Sequence, residues 1–200
     1  MTPPPTAPNG TRPRVEGERE EQILEATLDL LCRVGYDRLT MDAVAAEANA
    51  GKATLYRRWA TKSSLVVDAL LRSKAALQLP VVDTGSLRQD LITMSCGHGG
   101  LIDERSVGVM AGLITALHRD PEFAAEFRSR VVLPKIEASR VVFDRARERG
   151  EITADLDLDL IAPALAAIIL HRSFVLGLPI DQETVTAVVD AIILPAVQRS

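Results

Sequence analysis

The sequence predicts an all-α fold, and three observations carry that expectation. Apolar residues recur with a period of about 3.6 along one segment after another. Helix start and stop signals flank those segments. Ala, Leu and Val dominate a composition that is 47% hydrophobic and only 4% aromatic, a balance suited to packed helices rather than to a β-sandwich. No segment reads as a strand, and no internal repeat appears. The pattern divides the chain into a disordered arm (1–15), a three-helix head (16–61), a connecting helix (62–79) and a helical body (80–200), with about nine helices in all.

The arm is Pro-rich and has no apolar centre, so it is not a secretion signal. In the first helix the apolar stripe is Ile23, Leu24, Thr27, Leu28, Leu31 and Val34. Glu16, Glu18, Glu20 and Glu21 crowd its start, where the helix dipole favours acids, and Gly35 ends it. Cys32 is expected in the core. The second helix runs from Met41 to about Ala48, capped by Thr40, with Leu39 and Val44 as a hydrophobic staple and Asp42 in the first turn. Asn49 tolerates the left-handed backbone that ends a helix. Gly51 caps the third helix, with Ala50 and Leu55 as its staple. Leu55 and Trp59 face inward, leaving Lys52, Ala53, Thr54, Tyr56, Arg57 and Arg58 outside. Thr61 caps the connecting helix. Lys62 sits in its first turn, against the dipole, which implies an outside anion.

In the body, residues 80–85 form a loop and Ser86 with Gln89 reads as a capping box. Gly97, Gly99 and Gly100 end that helix, and the next spans about 103–118. Asp120-Pro121-Glu122 starts a helix that runs to about Arg149, where Gly150 stops it, with Pro134 kinking or restarting it. A further helix covers 157–178. The last is capped by Asp181 and ends near Val197. The run 158–178 is the longest apolar one, but Asp159, Pro163, His171 and Arg172 break it, so it is no membrane span. It reads as a helix buried nearly all round, which in a chain of this size suggests a subunit interface.

The chain is net acidic, at −4, yet Lys52, Arg57, Arg58 and Lys62 fall between Asn49 and Ser64 with no acid among them. Charge alone does not separate this run from a solvated helix face. The turn chemistry, the small-residue face and the basic flank together point to a helix entering a DNA major groove. Lys52, Ala53 and Thr54 then face base edges, while Thr40, Tyr56, Arg57, Arg58 and Lys62 hold phosphates. Arg12 and Arg14 in the arm suit a minor-groove contact, and an inert tail fits equally well. Cys32 and Cys96 lack metal-type spacing, and so do His98, His118 and His171; no metal and no cofactor are expected. Two cysteines without such spacing fit a reducing cytoplasm, and a redox-sensing Cys96 stays open. No nucleophile elbow, His-Glu-x-x-His, phosphate loop or dinucleotide fingerprint appears, so an enzyme is not expected.

Thr40, Val44, Ala45, Ala48, Leu55, Tyr56 and Lys62 match, in order and spacing, the helix-turn-helix of TetR-family transcriptional repressors, which residues 40–62 resemble. The sequence departs from that pattern at Asn49, Ala50 and Gly51 in the turn and at Trp59, where the family has Phe. The resemblance extends upstream to about Glu18 and downstream to about Leu71. Arg149-Gly-Glu-Ile and Asp83-Thr-Gly-Ser-Leu-Arg also look like one subgroup of the family. It implies a homodimer joined through helices 157–178 and 181–197, recognition helices about 34–36 Å apart on a palindromic double-stranded operator, and a small-molecule pocket between helices four and eight. Candidate pocket residues are Met94, His98, Met110, Thr115, His118, Phe127, Phe143, His171 and Phe174, a set that favours a hydrophobic effector. Departures in the turn leave room for a protein-interaction module whose head does not bind DNA. Activation and repression are not distinguished.

Overall fold

The computed structural model describes residues 12–72, 82–97, 102, 104–152 and 157–198, and within them every regular element is helical. The head comprises α1 (Arg12–Arg38), α2 (Met41–Glu47) and α3 (Lys52–Arg58), followed by α4 (Lys62–Arg72). The body contains α5 (Leu87–Cys96), α6 (Glu104–Arg119), α7 (Pro121–Phe127), α8 (Leu133–Glu148), α9 (Leu158–Ile161), α10 (Ala164–Phe174), α11 (Gln182–Val188) and α12 (Leu194–Val197). Residues 1–11, the 73–79 part of the connecting helix, His98 and the start of the helix expected at 103 lie outside the described residues.

Several local signals act as their chemistry dictates. The Thr40 hydroxyl accepts from Ala43 N at 3.1 Å, and Leu39 and Val44 are both buried beside it. Asp120 accepts from Phe123 N at 3.0 Å and Asp181 from Thr184 N at 2.7 Å. Gly35 adopts φ 74 and ψ 166, a region essentially closed to residues with a Cβ. There α1 leaves its axis, and Tyr36–Arg38 forms a separate turn.

Other elements differ from expectation. α1 begins at Arg12 rather than after residue 15, because Pro13 is tolerated in a first turn. The glutamates therefore sit beyond that turn, and Glu20 pairs with Arg58 and Arg72 instead of serving the dipole. Cys32 is exposed, not core: it lies at the edge of the Leu24, Leu28, Leu31 stripe. Ser86 is an N-cap without a side-chain hydrogen bond, so the capping box does not form. Glu151 Oε2 takes its place, accepting from Leu87 N at 2.8 Å. The fully buried Asp90 gathers the loop, accepting from Thr84 N at 2.7 Å and Thr84 Oγ1 at 2.6 Å.

The long apolar helix expected at 157–178 is split. Pro163 separates α9 from α10, and α10 ends at Phe174. It is not buried all round in the single chain: Leu160 is 69% exposed and Val175 68%. No described helix is long and apolar enough to cross a membrane. Pro134 and Pro195 share one device. Each follows a π-turn, Arg128–Val132 or Val189–Ile193, in which the following Leu N–H reaches back five residues. The widened turn accommodates a proline that has no N–H and needs room for its ring, so the axis continues without a break.

Two apolar cores result. The first joins the head to α4, α6, α7 and the first π-turn. The second joins α5, α8, α10, α11 and α12. The head is thus not packed on itself alone. α6 approaches α1 so closely that a Cβ on Gly112 would lie 2.8 Å from the Leu31 carbonyl oxygen. Beside that crossing, Tyr36 is buried, stacked on Phe123 with ring centroids 4.2 Å apart. Its hydroxyl donates to Asp120 at 3.3 Å and shares a hydrogen bond with Ser63 at 2.8 Å. Burial, above all, pushes the phenol up to about 12 from its ordinary 10.0.

Two outcomes follow from this joint. Gly112→Ala forces a methyl group into backbone and should cost about 1–3 kcal/mol, read as a lower urea midpoint with unchanged slope. In a Tyr56→Phe variant the sole remaining phenol is Tyr36, and ultraviolet titration should show it ionising near 12. Because the folded state holds the raised value, this group's stabilisation is complete below 10 and is lost as pH rises toward 12.

Candidate nucleic-acid interface

The turn between α2 and α3 is built by Asn49, the one non-glycine residue among those described with positive φ, at 49°. Its amide and that of Ala50 satisfy the Ala46 and Ala45 carbonyls at 3.1 and 2.8 Å, closing α2. Gly51 opens α3 with an extended backbone that any residue adopts. Leu55 and Trp59 are buried beneath α3. The Trp59 indole donates to Asp68 on α4 at 2.8 Å, and Asp68 accepts from Arg130 of the first π-turn at 2.7 Å. The recognition helix is therefore fixed from behind through α4 to the body.

Its outer face carries the expected residues. Thr40, Lys52, Ala53, Tyr56, Arg57 and Arg58 are exposed and Thr54 is half-buried, with Tyr56 presenting 54% of its surface. Thr40 spends an acceptor lone pair on its cap and keeps its O–H to donate outward. Lys52 Nζ sits 2.7 Å from Asp42 on α2, and that hydrogen bond raises the ammonium pKa. Arg58 pairs with Glu20 and lies 5.9 Å over the Trp59 ring. Arg19 donates to the Asn49 carbonyl. Arg19, Glu20, Ile23, Thr54, Arg57, Arg58 and Trp59 line a shallow hollow of about 170 Å³ between α1 and α3.

Lys62 is placed differently. Its ammonium donates to the Tyr36 carbonyl at 2.9 Å and sits 4.0 Å from the Tyr36 ring centroid. Burial lowers its pKa. One donor of the ammonium in the first turn of α4 is thus met by a carbonyl within the chain. Arg19 had no expected role, and Glu20 and Asp42 were expected only as acids near helix starts. Each pairs across elements, over 30, 38 and 10 residues, and no local pattern signals such a pairing.

The candidate pocket residues do not converge. Phe127 is buried in the first core and Phe143 in the second. Met110 packs partly buried against the first and Met94 against the second. Thr115, His118 and His171 are exposed, Phe174 is half-buried, and His98 lies outside the described residues. No cluster of three metal-type ligands occurs among the described residues.

Comparison with known proteins supplies the family. Residues 23–69 match the model described as bacterial regulatory proteins, tetR family, and residues 81–192 match the tetracyclin repressor-like C-terminal domain. An uncharacterised HTH-type transcriptional regulator of Mycobacterium tuberculosis is 38% identical over 194 residues, covering 95% of this chain and 93% of its own. A DNA-binding transcriptional repressor TetR of Mycobacteroides abscessus is 34% identical over 180 residues, covering 88% and 92%. The crystal structure of a TetR family transcription regulator superposes with a TM-score of 0.65 at 26% identity, over 88% of this chain and 97% of that one. With its helix-turn-helix head, exposed basic recognition helix and helical body, the chain belongs to the TetR family of DNA-binding transcriptional regulators and is not an enzyme.

Proposed function

We propose that the chain is a dimeric repressor that holds a palindromic operator and is released from it by a small-molecule effector. One observation carries the reading. α3 presents Lys52, Ala53, Thr54, Tyr56, Arg57 and Arg58 on its outer side while Leu55 and Trp59 lock it from behind. Lys52, Ala53 and Thr54 read base edges in the major groove. Thr40, Tyr56, Arg57 and Arg58 hold phosphates. Lys62 spends one of its three N–H donors on the Tyr36 carbonyl and keeps the others for the same backbone.

Working divisions are the DNA-binding head at 16–61, the connecting helix at 62–79 and the effector-binding, dimerising body at 80–200. Regulation of DNA places the protein in the cytoplasm. Leu160, Val175, Leu176, Leu178 and Ile192 are exposed apolar side chains on or beside α9, α10 and the second π-turn. Pairing the 157–178 and 181–197 segments of two copies covers them, as dimerisation in this family implies. The second head then engages the next major groove at a high effective concentration. An effector of largely apolar surface shifts the population toward heads that no longer match the operator. A coupling of about 1–3 kcal/mol weakens DNA binding roughly 5–150-fold. Cys96 is not favoured as a redox sensor, since burial raises its thiol pKa and lowers the thiolate fraction.

Binding to duplex DNA, followed by fluorescence anisotropy across a salt series, tests the face. Arg57→Ala should weaken binding to all duplexes and lower the slope of log K against log salt by about 1. Lys52→Ala should change base preference, with a cost of about 1–3 kcal/mol on the preferred duplex. Unchanged affinity and preference in both variants would show that α3 does not face DNA. A Cβ at Gly51 meets Thr54 Oγ1 at an unstrained 3.7 Å, so Gly51→Ser fits. It should add a few tenths of a kcal/mol of stability through the missing cap, and strengthen DNA binding through the added hydroxyl.

A further inference from the structure

The shallow hollow between α1 and α3 brings three guanidiniums and one carboxylate around about 170 Å³: Arg19 and Glu20 from α1, Arg57 and Arg58 from α3. The buried Ile23 and Trp59 close it on the protein side. Two of the arginines are held there by different means. Glu20, with a side chain only 13% exposed, accepts from Arg58 and lies 3.6 Å from Arg72 Nη2. Arg58 also lies over the Trp59 ring, yet keeps 47% of its side chain exposed. Arg19 donates to Gln22 Oε1 at 3.0 Å and to the Asn49 carbonyl. Both of those acceptors are neutral. These bonds orient the guanidinium without neutralising it, and they leave it further N–H donors.

A cation fixed in this way suits an anion that arrives from outside. A guanidinium fork matches phosphate oxygens, and a fork already oriented loses little freedom on contact. The hollow adjoins the outer face of α3, and Thr54 belongs to both. A duplex seated on α3 carries its backbone past the flank of that helix, where α1 stands. The anion it brings there is a phosphodiester beside the bases that α3 reads.

We propose that this hollow seats one phosphodiester of the operator backbone, held between Arg19 on α1 and Arg58 on α3. α1 is then part of the DNA interface and not only a support for the recognition helix. Arg19 holds the Asn49 carbonyl at the same time, so the seated phosphate is tied to the turn that sets the start of α3. The contact fixes the register of the head on the duplex and reads no base. This inference rests on the reading that α3 faces DNA, and it adds a contact from outside the helix-turn-helix.

The selected operator is synthesised with single uncharged methylphosphonates in place of successive phosphates, and anisotropy gives Kd for each duplex with the full-length protein. The unmodified chain should lose about tenfold at one phosphate flanking the bases that α3 reads. Arg19→Gln keeps an N–H donor for the Asn49 carbonyl but removes the charge. It should weaken binding to the unmodified operator about tenfold, lower the slope of log K against log salt by about 1, and become indifferent to the methylphosphonate at that one position. Arg19→Lys should restore much of the sensitivity. If Arg19 only braces Asn49, Arg19→Gln retains full sensitivity at every position. That pattern, or an unchanged Kd in Arg19→Gln, would overturn the phosphate seat. If Arg57→Ala still weakens binding in the same series, the reading that α3 faces DNA stands; if neither variant does, both fail.

Discussion

Tyr36 is the constraint on which the arrangement turns. Gly35 takes a backbone conformation that only glycine accepts easily, and this swings Tyr36 off the α1 axis into the first core. There its ring stacks on Phe123 of α7, its hydroxyl meets Ser63 of α4 and Asp120 before α7, and its carbonyl receives Lys62. Three helices, α1, α4 and α7, are thus tied to one side chain and its backbone. The close crossing of Gly112 on Leu31 holds α6 against the same region. Interiors packed this tightly move as units, so any rearrangement of α6 or α7 is felt by the helix-turn-helix.

The head was legible because its signals are local. Thr40, Asn49 and Gly51 fix the ends of α2 and α3 by cap and turn chemistry, and the spacing of Leu55 and Trp59 fixes which side of α3 is buried. What the sequence concealed is non-local. Glu20 meets Arg58 over 38 residues, and Glu151 replaces Ser86 at the start of α5 over 64. Neither periodicity nor capping rules can register such distances. The body was legible as helices but not as a site. Its apolar stripes are shared between two cores, and the polar or bulky residues on them scatter to surface and core alike.

The acids around α3 give the basic face a particular character. Asp42 holds Lys52 and Glu20 holds Arg58, so these cations are oriented in advance by exposed or partly exposed pairs. Surface pairs of this kind are worth little in stability, about 0–1 kcal/mol. They yield readily to a phosphate or a base edge that offers better geometry. The net charge of −4 disfavours adhesion to DNA through the bulk of the molecule, which concentrates attraction on this one face.

Selection of bound duplexes from a random DNA pool by the purified protein, at near-physiological salt and followed by sequencing, bears most directly on the central claim. The account predicts an enriched palindrome whose half-sites are one helical turn, or a multiple of it, apart. A folded, dimeric protein that enriches no sequence would contradict it.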